Sequence, residues 1–466
     1  MTNHSNEAPK TQLTEPLRFY LLSLGCSKNL VDSESMSQIL RDAGDQVIDE
    51  PQQADVLLVN TCGFIESAKK EAIEAILDLA DHKHPNGRAK YLIVAGCLSQ
   101  RYAQEILDSF PEVNAVLGTA DYARIHDLIS RLYEDELPSD GQLMQALPGP
   151  GGSLEHLRIA RNPSTPQTYA YIKVAEGCSN HCTYCAIPGI RGPFQSRPFE
   201  EIVDEARRLS ESGFGELILI AQDTTRYGLD LYGHRRLPDL IRSICSLPRV
   251  RMVRILYVYT DGLTDELISC MATEPKVAHY LDLPIQHASD SILSAMNRRD
   301  SQESIRLTIN RLRQAMPDIV LRSTVLVGFP GESEEDFQTL LDFINEVRFD
   351  RLGCFVFSSE EGTPAASLKP KTPKAIAIAR MDAVMQQQQV ISREINQARI
   401  GHICTVSLDS IADDGVFYKG RSFAEAPEVD PVIWVAAAQD NLSVGLTAQV
   451  RIVAADEYEL TGETIA

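Results

Sequence analysis

The sequence predicts an α/β protein in three parts: a doubly wound parallel sheet first, a partial (β/α)6 barrel in the centre, and a small antiparallel β-barrel last. Three observations carry this. Apolar strand-like runs alternate with helical periodicity over about 17–136 and again over about 167–398. A stretch dense in proline and glycine, about 137–166, separates the two regions. Beyond residue 399 the pattern changes to short period-two runs parted by turn residues.

In the first region, residues 18–24, 54–60 and 91–95 read as strands. Met36, Ile39 and Leu40 share one helical face after Asp32 or Ser33, either of which can cap. Ile65, Ala68, Ala72, Ile76 and Leu79 repeat the pattern in the next unit. In the second region six apolar runs, at 171–175, 217–221, 252–258, 280–285, 320–327 and 352–357, alternate with helical stretches such as 199–212 and 304–316. Six βα units make a barrel smaller than the eight-unit form. A Gln-rich helical stretch, 373–397, leads to runs at 403–408, 432–435 and 448–453, the strands of the last barrel. Residues 1–16 are polar and read as a disordered tail.

The chain has 466 residues, 65 acidic and 44 basic, for a net charge of −21. That balance suits a basic partner better than a nucleic-acid backbone, although acidity can also serve solubility alone. No apolar run approaches the roughly 20 residues that cross a bilayer, so a cytoplasmic protein with no membrane partner is expected. Ten cysteines in that compartment are thiols and not disulfides.

Six of the ten form patterns. Cys178-Ser-Asn-His-Cys182-Thr-Tyr-Cys185 comes after the first strand of the central barrel with the spacing C-x3-C-x2-C. Three thiolates on one loop hold three irons of a [4Fe–4S] cluster and leave the fourth open to chelate S-adenosylmethionine. A zinc site with His181 as fourth ligand is the alternative. Cys26, Cys62 and Cys97 are spread out, yet each comes directly after a strand of the first region. Parallel strands bring such residues to one sheet edge, where ligands bind. Three buried core cysteines are the plainer alternative, but these would scatter along the strands. Cys245, Cys270, Cys354 and Cys404 show no pattern and read as buried or incidental.

The C-x3-C-x-Tyr-C loop resembles the signature of the radical-SAM superfamily, and the resemblance places Tyr184 near the adenine. Members often end the second strand in Gly-Gly-Glu to hold the methionine amino group; this chain has Ala221-Gln222-Asp223 and departs from that, leaving Gln222 and Asp223 as candidates. Gly328 and Glu332, in Val327-Gly-Phe-Pro-Gly-Glu332, end the fifth strand, where glycine permits close backbone approach to a ligand and a plain turn is the alternative.

Two cysteine trios in this order, with a small barrel after them, are similar to the radical-SAM methylthiotransferase family, over nearly the whole chain. The resemblance implies two [4Fe–4S] clusters: the barrel cluster makes a radical from S-adenosylmethionine, the N-terminal cluster handles sulfur, and the last barrel, a TRAM domain, recognises the substrate. The run Cys26-Ser-Lys-Asn29-Leu-Val-Asp32-Ser-Glu34 resembles the RimO-type branch, which modifies an aspartate of small-subunit ribosomal protein twelve. So do the runs 282–289, 357–364 and 420–430, with one departure at Pro431, where glycine is usual. Residues 396–466 hold 4 basic and 11 acidic residues, a net of −7, which should repel RNA and attract a basic ribosomal protein. The implied reaction takes hydrogen from the aspartate β-carbon, couples sulfur there and methylates it with a second S-adenosylmethionine. It needs an electron donor and a sulfur donor as partners. The rivals are a tRNA adenosine methylthiotransferase and a non-catalytic iron–sulfur scaffold for ribosome assembly.

Overall fold

The structure is a computed structural model that describes residues 16–134, 137–138, 140–143, 147, 149–413, 415–436 and 442–465. The tail expected at 1–16 lies, apart from Pro16, outside the described residues. The chain divides into two compact units: one runs through Asn162 and includes Gly189–Arg191, and the other comprises Pro163–Pro188 and Gly192–Ala466.

The first unit is a five-stranded parallel sheet of β1 (Arg18–Ser23), β2 (Gln46–Ile48), β3 (Val56–Thr61), β4 (Tyr91–Gly96) and β5 (Ala115–Leu117). The strand order is β2-β1-β3-β4-β5. β3 and β4 are buried throughout, as expected of parallel strands covered on both faces. The apolar cores on those faces include Met36, Leu40 and Leu128 in one cluster and Ala72, Ile76 and Ile106 in the other. The order doubles back between β1 and β3, the kind of switch point where such sheets bind ligands.

Two expectations change here. The helix Ser27–Asp42 begins directly after Cys26, so Asp32 and Ser33 lie within it and do not cap it. Both are buried, because Asp32 is held in an ion-pair network and the Ser33 hydroxyl bonds to Ser23. The stretch read as a linker packs on this unit through Asn162: His156 is 1% and Arg161 6% exposed, paired with Asp32 and Glu34.

The second unit opens with β6 (Tyr169–Lys173). A small antiparallel pair comes next, β7 (Ala175–Glu176) with β8 (Gln195–Ser196). Then come β9 (Glu216–Ile220), β10 (Met252–Ile255), β11 (Val277–Asp282), β12 (Val320–Val327) and β13 (Arg351–Val356). The six long strands pair in parallel, in sequence order from β6 to β13, in the expected partial barrel. One apolar core spans the strands and their covering helices, from Ile172 to Ile391 on the long helix Lys374–Ala398.

The last part is a closed barrel of β14 (Ile403–Ile411), β15 (Phe417–Arg421), β16 (Ile433–Ala436), β17 (Thr447–Ala455) and β18 (Leu460–Thr464). It is not wholly antiparallel: β16 and β18 pair in parallel, and the other four pairings are antiparallel. Its loop from Arg421 to Asp430 enters the mouth formed by the N-terminal ends of the six parallel strands. There Arg254 donates to Phe423 O at 2.7 Å, Tyr280 donates to Asp430 at 2.6 Å, and Arg421 bonds Glu216 at 2.9 Å and Asp409 at 2.5 Å. These partly explain why the 420–430 run carries so many polar residues.

Candidate active site

The cysteine trio of the first unit stands at adjacent strand ends. β1, β3 and β4 are neighbours, and Cys26, Cys62 and Cys97 come after their C-terminal ends. The approach is close. Gly25 has φ +90°, and a Cβ there would stand 2.7 Å from the Cys62 Cβ, so only glycine fits. Asn29, fully buried on the first turn after Cys26, ties the three ends together. Its Nδ2 donates to Leu24 O at 2.9 Å and to Thr61 O at 3.1 Å, while its Oδ1 lies 3.8 Å from Cys97 Sγ. Arg191 completes the set, bonding Asp32 Oδ2 at 2.7 Å and also reaching Asn29 Oδ1 and Cys97 Sγ. Asp32 Oδ1 meets His156 Nε2 at 3.0 Å.

The charges act on the thiols. Cys26 is exposed at the surface; desolvation by the surrounding protein opposes ionisation of its thiol, but the Lys28 and Arg191 cations and backbone N–H groups outweigh it and hold its pKa below the ordinary thiol value. Burial, with Cys97 close by, pushes Cys62 up to about 12.

The second trio is a single loop after β7, in the second unit. Cys178 and Cys182 are buried and Cys185 is half-buried. Burial pushes Cys178 up to about 11 and Cys185 up to about 12. The Cys182 sulfur lies 3.3 Å from the Tyr259 hydroxyl, and the Arg298 guanidinium stacks 4.4 Å from the centre of that ring. Tyr184 sits in the same group; burial, then Cys182, raises its pKa well above the usual phenol value.

The other residues expected here fall around that loop. Asp223 accepts from Asn180 Nδ2 at 2.7 Å, which braces the loop between Cys178 and Cys182, and its other oxygen accepts from Thr225 at 2.5 Å in its own turn. Burial raises its pKa in spite of those donors. Gln222 donates to Glu176 at 2.6 Å, and its buried Oε1 has no hydrogen-bond partner. Glu176 also accepts from Lys173 at 2.8 Å and from the Gly177 N–H at 3.0 Å. Gly328 has φ +76°, and a Cβ there would strike Ala377 at 2.4 Å. Glu332 folds its own loop, accepting from the Phe329 N–H at 2.9 Å and pairing with Arg380 at 3.1 Å. Behind it His287 is fully buried: its Nδ1 accepts from the Ser289 N–H, and its Nε2 lies 4.0 Å from Glu332, beyond hydrogen-bond reach. Burial lowers its pKa to about 4.

Sequence reasoning missed Asn29, Asp32 and Asn180 as site-building groups, and it missed Arg191, Glu176 and Tyr259 altogether. Asn29 and Asp32 sit in the quoted cysteine motif, which was a usable signal. Arg191 comes after the second trio in the chain yet packs with the first unit, and no spacing rule reveals that.

Among the described residues no three His, Cys, Asp or Glu side chains converge tightly enough to hold one metal ion. His181 is exposed at φ 53°, with its carbonyl bound by Asn297. Trios of soft thiolates at strand ends suit a larger, sulfur-bridged iron group.

Residues 18–118 match the family described as Uncharacterized protein family UPF0004, residues 172–344 the Radical SAM superfamily, and residues 400–465 the TRAM domain. The chain is 44% identical over 445 residues to ribosomal protein uS12 methylthiotransferase RimO of Acetivibrio thermocellus, covering 96% of this chain and 98% of that one. This chain belongs to the RimO methylthiotransferase family. A RimO protein of Clostridioides difficile is equally similar, at 44% identity over 96% of this chain and 99% of its own. Among solved structures, the radical S-adenosylmethionine methyltransferase TsrM of Kitasatospora setae aligns with a TM-score of 0.52 at 13% identity, covering 75% of this chain and 74% of its own. The cobalamin-dependent S-adenosylmethionine radical enzyme OxsB aligns with a TM-score of 0.51 at 13% identity, covering 81% and 56%. At such identity these two speak for the fold alone. RimO membership makes the chain a radical-SAM methylthiotransferase and disfavours both the tRNA and the scaffold alternatives.

Proposed function

We propose that this enzyme attaches a methylthio group to the β-carbon of an aspartate in small-subunit ribosomal protein uS12. One [4Fe–4S] cluster would be held by Cys178, Cys182 and Cys185 with S-adenosylmethionine, and a second by Cys26, Cys62 and Cys97. The observation that carries this reading is the pair of trios in a RimO-family chain, one at the C-terminal edge of the first unit's parallel sheet and one on the loop after β7. When bound, the clusters and S-adenosylmethionine supply hydrogen abstraction from an unactivated carbon, sulfur insertion and methyl transfer.

The protein's own part is to bind and orient. Asp223 and Asn180 fix the cysteine loop, and Tyr259 places its hydroxyl against Cys182. The buried, unpartnered carbonyl of Gln222 is the acceptor proposed for the methionine ammonium, with Tyr184 beside the adenine. Gly328 lets the end of β12 pack against Ala377, and Glu332 and Arg380 keep that turn folded. Among the described residues no helix is long and apolar enough to cross a membrane. A ribosomal-protein substrate implies work in the cytoplasm. An electron donor and a sulfur donor are required partners.

The test is anaerobic reconstitution, iron counting, and incubation with S-adenosylmethionine, dithionite, sulfide and a peptide from the uS12 aspartate loop. About eight irons per chain and a peptide heavier by one methylthio group support the proposal. About four irons would remove the second cluster. Cleavage of S-adenosylmethionine with an unmodified peptide and modified tRNA would replace the substrate.

A further inference from the structure

Arg191 is a buried cation with a defined target. Its side chain is 2% exposed at the end of the short helix Ile187–Arg191, and Gly189–Arg191 pack with the first unit. Burying a guanidinium is costly unless its N–H groups find acceptors. Here Nη1 donates to Asp32 Oδ2 at 2.7 Å, and Nη2 is shared between Asn29 Oδ1 and Cys97 Sγ, the latter at 3.5 Å. Asp32 is held in turn by His156 at 3.0 Å, and the His156 ring packs edge-on against Tyr122. Asn29 is fixed by the carbonyls of Leu24 and Thr61. Each acceptor that orients the guanidinium is thus itself oriented, and the charge is aimed at a cysteine sulfur.

Structural need alone does not explain that aim. Asp32 would satisfy the charge and Asn29 Oδ1 the second nitrogen, yet that nitrogen also reaches Cys97 Sγ at 3.5 Å. A cluster on three thiolates carries negative charge that grows by one on reduction. A fixed N–H donor and positive charge beside a ligand sulfur stabilise the more negative state most.

We infer that Arg191 is a positioning residue for the cluster on Cys26, Cys62 and Cys97, donating to the Cys97 sulfur and raising that cluster's reduction potential. This rests on the two-cluster reading above. It concerns reduction of the N-terminal cluster and not the radical-forming loop, although Arg191 comes after that loop in the chain.

The test uses full-length protein in which Cys178, Cys182 and Cys185 are alanine, so that only the N-terminal cluster can load. Its midpoint potential is read by titration with electron paramagnetic resonance detection, and iron is counted in parallel. Arg191→Met should shift the midpoint to a lower potential, and Arg191→Lys, which keeps the charge and loses the fork, should shift it less. An unchanged midpoint in Arg191→Met at full iron content overturns the inference and leaves the two-cluster reading intact. No iron in the background protein with Arg191 present overturns both. If Arg191→Met fails to load, Arg191→Lys decides: loading regained supports a charge acting on the trio. Loading lost in both, with the first unit unfolded, makes Arg191 a packing residue and overturns the inference.

Discussion

The two cysteine trios reach similar ligand sets by opposite routes. The central trio is local: eight consecutive residues, Cys178 to Cys185, carry all three thiols on one loop. The N-terminal trio is distributed over three strand ends and exists only once β1, β3 and β4 lie side by side. Their surroundings differ as well. Around the central trio the close partners are the phenols Tyr184 and Tyr259, and burial leaves Cys178 and Cys185 with raised pKa values. At the N-terminal trio Lys28 and Arg191 hold one thiol, Cys26, below its usual value. A local trio needs bracing of its loop; a distributed trio needs a tie between strands and a charge to offset thiolates brought together by the fold.

The largest effects come from breaking either trio. Cys182→Ala should abolish cleavage of S-adenosylmethionine, whereas Cys62→Ala should keep cleavage and insert no sulfur; deoxyadenosine release and peptide mass read the difference. Normal product from Cys62→Ala would end the division of labour.

Next comes the tie. Asn29→Ala removes a fully buried side chain that serves three strand ends, and should destabilise the first unit by about 4 kcal/mol. Denaturant melts should show it, with iron lost from the N-terminal trio and not from the central one. Similar losses at both trios would mean that the tie is not local.

His287 sharpens the contrast through pH. Its folded pKa, about 4, lies below the ordinary value of about 6.5, so the unfolded chain binds the proton more readily. The stability it protects is fully present above pH about 6.5 and is lost as pH falls toward 4, by up to about 3 kcal/mol. His287→Gln should flatten that acid loss in melts of the second unit. An unchanged pH slope would show that the imidazole is not the titrating group.

The smallest effect expected is at the brace. Asp223→Asn keeps the shape and loses an acceptor for Asn180 or Thr225, a change of about 1–2 kcal/mol. Iron occupancy of the central trio should fall while the N-terminal trio keeps its own.

Much of this architecture was legible in the sequence. The strands before Cys26, Cys62 and Cys97, and all six parallel strands of the second unit, carry apolar runs long enough to read within a few residues. β2 and β5 were not legible, because three residues each carry no periodicity. β15 and β18 were hidden by Lys419, Gly420 and Gly462, which interrupt alternation where the barrel closes on itself. Proline and glycine at 148–152 suggested a loose connector, but the ion pairs of His156 and Arg161 dock residues 155–162 onto the first unit. The acidity of the last domain was half legible. The count is right, yet Asp409, Glu425 and Asp430 are paired with arginines inside the second unit, so less of that charge faces a partner. Ion pairs over large sequence separations have no local signature, which is also why Arg191 went unread.

The loop from Arg421 to Asp430 has a consequence for how the enzyme is made. A chain synthesised from its N-terminus completes all six parallel strands before the residues that stop their mouth exist. Until then Arg254 and Glu216 face each other without Arg421, and Tyr280 lacks Asp430. The closure of the catalytic barrel therefore comes last: its floor is sealed by the domain that follows it, and shortened chains would carry the full set of cysteines on an uncorked scaffold.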